Sequence, residues 1–98
     1  MAATKETKYM VESDIVMRAV DKPFDHREPL GVFATKDEAY EFVLSYLHDT
    51  RKLHTYFSRT HICQREELDE YIAERKMVAL NVVLGQFEDM IYISKVTQ

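Results

Sequence analysis

The residues best suited to chemistry lie in a stretch without a single acid. Residues 50–65 read TRKLHTYFSRTHICQR in a chain that carries 17 Asp and Glu. Arg51, Lys52, Arg59 and Arg65 supply charge, His54 and His61 supply imidazoles, and Tyr56 and Phe57 supply flat rings. Cations mixed with aromatics on a strand suit phosphate pairing and base stacking, so nucleic acid or another anion is one partner this segment implies. The plain alternative is a strand whose cations pair with nearby acids, Arg59 with Glu66 or Glu70 for example. Catalysis is poorly served. His54 and His61 are an odd number of residues apart and face opposite sides of a regular strand. A two-histidine pair would need a bulge between them, and a helical segment would place His54, Ser58 and His61 on one face. Neither His54 nor His61 has a serine or threonine two residues on, so neither fits the H-x-[ST] pattern of two-histidine phosphoesterases, and Cys63 has no wider signature of a cysteine enzyme.

Residues 21–29 form the second cluster, bracketed by Pro23 and Pro29, and their prolines predict a loop. Asp25, His26, Arg27 and Glu28 follow Phe24, so an aromatic anchor with a polar rim is available to a protein partner. One histidine among carboxylates has no recognisable ligand spacing, so no metal is implied. The third cluster is acidic. Glu66, Glu67, Asp69, Glu70 and Glu74 could mimic nucleic-acid phosphates, but Arg65, Arg75 and Lys76 dilute their field, and a solvated helix face explains the run. Phosphate-binding glycine loops, C-x-x-C, H-E-x-x-H and G-x-S-x-G are all missing. No catalytic residue and no cofactor is implied.

The elements that must position these residues are clearest at residues 31–47. Val32, Phe33 and Ala34 read as the end of a strand, and Thr35 with Glu38 has capping-box spacing at the start of a helix. Asp37 and Glu38 suit the positive end of its dipole. Ala39, Phe42, Val43, Tyr46 and Leu47 then mark one buried face at helical spacing, and the helix should run to Asp49 or Thr50. A strand over 8–20 precedes this unit, with Glu12, Ser13 and Asp14 suggesting a bulge or an exposed middle. Residues 53–62 read as a strand on their β-branched and aromatic content. Leu68, Tyr71 and Ile72 lay a short surface helix, residues 65–76, on the domain. Residues 77–84 fit either an alternating strand or a continuing helix with Gly85 at its C′ position, and the strand is preferred. A turn over 85–89 leads to a last strand, residues 90–96.

The order β-β-α-β-α-β-β predicts an α+β fold with one mainly antiparallel sheet and its helices on one face. Residues 1–7 read as a disordered polar tail, and 8–98 as a single domain. A chain of 98 residues, 46% hydrophobic, can bury roughly 60–70% of its unfolded surface without metal or disulfide. Two glycines and two prolines are too few for a sandwich or barrel. One cysteine and no long apolar run point to a cytoplasmic setting with no membrane contact, and Cys63 reads as a buried thiol. A net charge of −4 argues against binding polyanions through overall charge. Val16 and Val20 on the minority face of the first strand, with a last strand apolar on both sides, predict a homodimer. The function these features favour is a small non-enzymatic interaction module, a regulator, adaptor or inhibitor of a protein partner. Binding of an anion or nucleotide by 50–65 and acidic mimicry of nucleic acid are the alternatives.

Overall fold

The computed structural model describes residues 6–17, 24–53, 58–83 and 87–97. Five strands, β1 (Thr7–Met17), β2 (Phe24–Phe33), β3 (Ser58–Ile62), β4 (Ala79–Val83) and β5 (Phe87–Thr97), form one antiparallel sheet in the order β2-β1-β5-β4-β3. Helix α1 (Lys36–Leu53) joins β2 to β3, and α2 (Leu68–Ala73), preceded by a 3-10 turn at Arg65–Glu67, joins β3 to β4. This is the predicted α+β architecture in the predicted order. Among the described residues no helix is long and apolar enough to cross a membrane.

Alternation along the strands explains the layering. Val11, Ala79, Val83, Ile91 and Ile93 share one side of the sheet and are buried, together with Ala39, Tyr40, Val43 and Leu47 of α1 and Leu68 and Ile72 of α2. Both helices therefore lie on the same face. Tyr40 belongs to the core although helical spacing had not singled it out. Phe42 and Tyr46 are only half-buried and flank the core as a ladder, Phe33 to Phe42 at 5.1 Å and Phe42 to Tyr46 at 6.3 Å between centroids. Gly31 makes room for that ladder. A Cβ there would meet the Phe33 ring at 3.1 Å.

Several predicted boundaries move. The loop expected over 21–29 is in its described part, Phe24–Pro29, the first arm of β2. Proline tolerates this because β2 is the edge strand, where a missing N–H need not break a ladder. A register shift opposite Val11 and Glu12 lies beside Pro29 and absorbs one residue of β2, as the cluster of polar residues in β1 suggested. The middle of β1 is not exposed, however, since Ser13 is buried. α1 runs past Thr50 to Leu53, and β3 starts only at Ser58, so residue 53 closes a helix rather than opening a strand. Residues 79–83 are the preferred strand. β5 begins at Phe87, inside the expected turn, and Thr7 belongs to β1 rather than to a polar tail.

Candidate functional site

The side of the sheet opposite the helices is uncovered by any described element. From the observed register it carries Val32 and Arg27 of β2, Met10, Glu12, Asp14 and Val16 of β1, Met90 and Tyr92 of β5, Leu80 and Val82 of β4, and Arg59 and His61 of β3. Its centre is half-buried and apolar (Met10, Met90, Tyr92, Leu80 and Val82), while Val32 at its margin is 46% exposed. Across this face Arg27 Nε donates to Glu12 Oε2 at 2.8 Å, and its guanidinium lies 4.9 Å from the Tyr92 ring centroid. The bond to Glu12 holds Arg27 above its ordinary pKa.

The predicted binding residues separate. Arg59 and His61 are both exposed and project from edge strand β3 onto the uncovered face, opposite Val82 and Leu80. Arg59 makes no ion pair among the described residues, so pairing with Glu66 or Glu70 does not occur. Arg65 is engaged instead, by Asp37 at 3.2 Å, by Glu41, and over the Tyr40 ring at 4.8 Å. His26 and Arg27 stand on β2, with His26 3.3 Å from Glu28. The backbone of Phe24 and Asp25 pairs with Met17 and Val16, but their side chains are outside the described set, as is that of Arg51 on the last turn of α1. His54 and Tyr56 lie outside the described residues. The acidic run is largely tied down. Asp69 pairs with Lys36, Glu74 with Lys76 at 2.6 Å, and Glu67 accepts from the Gln64 N–H at 3.0 Å.

A second constellation was not legible in the sequence. Asp89 is 1% exposed, and Ser13 Oγ donates to its Oδ1 at 2.5 Å while the Tyr46 hydroxyl donates to its Oδ2. Asn81, directly opposite Asp89 on β4, is fully buried and accepts from Thr60 Oγ1 at 3.3 Å. Ser13, Asp89, Asn81 and Thr60 thus cross four strands on the helix side, with Tyr46 reaching down from α1. Both carboxylate oxygens already have donors, which makes this a seam locking α1 to the sheet rather than an acid awaiting a substrate. The chain matches no family model, no curated protein and no solved structure.

Cys63 also has a structural setting. It is buried, its carbonyl accepts from Tyr40 OH at 2.7 Å, and its N–H donates to the Val78 carbonyl at 2.8 Å. Burial pushes its thiol pKa up, the reverse of what a nucleophile needs. Among the described residues no group of three or more His, Cys, Asp or Glu is placed to hold a metal ion.

Proposed function

We propose that this domain is an interaction module that works as a homodimer and binds a protein partner, without chemistry of its own. The observation that carries the reading is the uncovered sheet face. Strands about 4.8 Å apart, rising about 3.4 Å per residue, give that face roughly 650 Å² of flat area. Two copies set face to face would bury about 1,300 Å², within the range of stable specific interfaces. Apolar Met10, Met90, Leu80 and Val82 share this face with Glu12 and Asp14 on β1 and with Arg27 and Arg59 on the two edge strands, the mixture of apolar contact and charge found in specific interfaces.

Light scattering at tens of micromolar, in the range where an interface of this size holds, should give twice the mass of the chain. Leu80→Glu, placed in the middle of the face, should give a folded monomer. A monomer mass for the unaltered protein would refute the dimer. A second reading has one observation in its favour, Arg59 with no ion pair among the described residues, on the same face of an edge strand as His61. It requires a polyanion to bind with a steep salt dependence that Arg59→Glu abolishes.

A further inference from the structure

β5 is eleven residues long, but β4 covers only part of it. Val83 pairs with Phe87 and Ala79 with Ile91, and there the pairing stops. Beyond Ile91, residues 92–97 have β1 on one side and, among the described residues, no strand on the other. A backbone edge is thereby left open in the middle of a sheet, in line with β4. Such an edge is a template for another strand.

The open edge is one wall of a cleft of about 960 Å³. Tyr92, Ile93, Ser94 and Lys95 line one side, Asp69, Ile72, Ala73 and Arg75 line the side formed by α2 and the turn after it, and Arg27 stands at the rim. Three cations thus face one acid, in a chain whose net charge is −4. That acid, Asp69, is already paired with Lys36, and Arg27 is already held by Glu12. Lys95 and Arg75 have no carboxylate within bridging distance among the described residues. Arg75 is also placed at some cost, since its φ of 57° lies in the left-handed region that disfavours a side chain.

We propose that this cleft takes an extended acidic segment of the partner protein, added as a strand along residues 92–97 of β5. The backbone ladder gives the affinity, exposed Ala73 and half-buried Tyr92 contact its apolar side chains, and Lys95 and Arg75 select for carboxylates. At about 3.4 Å per residue the open edge spans ~20 Å, enough for about six residues. The inference rests on the reading of the chain as a binding module, but not on the dimer, whose face adjoins the cleft and shares only Tyr92, Ser94 and Arg27 with it.

The test is fluorescence anisotropy with three labelled octapeptides: a Glu-Val repeat, a Lys-Val repeat, and the Glu-Val repeat with proline at two central positions. Expected is saturable binding of the first alone, weakened at least tenfold by Lys95→Glu or Arg75→Glu, with melting temperatures near that of the unaltered protein. Amide exchange at Ile93 and Lys95 should slow when the peptide is bound. Equal binding of the proline peptide would overturn strand addition, because proline cannot donate to a ladder. Equal binding of a single-stranded oligonucleotide would overturn the choice of a peptide, and no binding at millimolar peptide would overturn the site. Leu80→Glu separates the two proposals. Peptide binding by that monomer shows that the cleft works without the dimer; an unaltered protein that is monomeric yet binds the peptide refutes the dimer alone, and an unaltered dimer that ignores the peptide refutes the cleft alone.

Discussion

Replacing Tyr46 by phenylalanine deletes one oxygen and asks what the buried seam contributes. That hydroxyl donates to Asp89 Oδ2, and Ser13 Oγ serves the other oxygen. Hydrogen bonds to a charged group contribute about 1.5–3 kcal/mol each, and with Asp89 only 1% exposed little water can replace the lost donor. Tyr46→Phe should therefore cost about 2 kcal/mol, and Ser13→Ala a similar amount. Tyr40→Phe is the internal control. The Tyr40 hydroxyl donates to a neutral acceptor, the Cys63 carbonyl, so its loss should cost only about 1 kcal/mol. The double variant, Ser13→Ala with Tyr46→Phe, strips both donors and should approach the ~3–5 kcal/mol of an uncompensated buried charge. Urea melts at one fixed protein concentration measure all four, since the stability of a dimer depends on concentration. A Tyr46→Phe variant no less stable than Tyr40→Phe would show that the carboxylate does not depend on its donors, and would refute the seam as a lock.

Three further expectations follow the same logic. The Glu38 N–H donates to Thr35 Oγ1 at 3.1 Å, so Thr35→Ala should lower stability by about 1 kcal/mol in the same melts. Arg75→Gly should raise it by up to ~1 kcal/mol by relieving the left-handed backbone, while weakening any acidic ligand of the cleft. Burial raises the Cys63 pKa, so its thiolate is scarcer than that of a free cysteine at any given pH. Alkylation of the folded protein at pH 8 should be far slower than in urea, and equal rates would contradict that burial.

The parts of the fold that were legible are those governed by neighbours in sequence. The Thr35 cap, the apolar spacing of α1 and the alternation of 79–83 are local signals, and each element formed where it pointed. What was illegible depends on distant residues. Asp89 looks like a turn residue until Tyr46, 43 positions away, and Ser13, 76 away, are seen to satisfy it. Pro29 reads as a loop marker because a sequence does not state which strand will be the edge. The end of α2 carried no glycine to announce it. Lys76 N–H donates to Tyr71 O and Arg75 N–H to Ile72 O, the paired bonds of a Schellman ending, with an arginine where glycine is usual. The candidate site suffered most. Arg59 and His61 were singled out by composition, but their sharing of the uncovered face with Leu80 and Val82 follows from register alone.

The pairing of β1 with β5 has a kinetic meaning as well. These two strands hold the centre of the sheet along eleven consecutive pairs, from Met17 with Phe87 to Thr7 with Thr97. Every one of those pairs joins residues 70 to 90 positions apart, so the middle of the sheet cannot assemble early from short hairpins. Local pairing can build β1–β2 and β3–β4–β5 sooner, since Val83 and Phe87 are only four positions apart, but each remains part of a sheet with an open edge until β1 and β5 meet. Closing so large a loop costs entropy before any of those contacts can repay it, and folding slows as the mean separation of contacts rises. The seam that completes the sheet is thus also the slowest to form. Until it closes, β1 and β5 present to solvent the very edges on which chains aggregate.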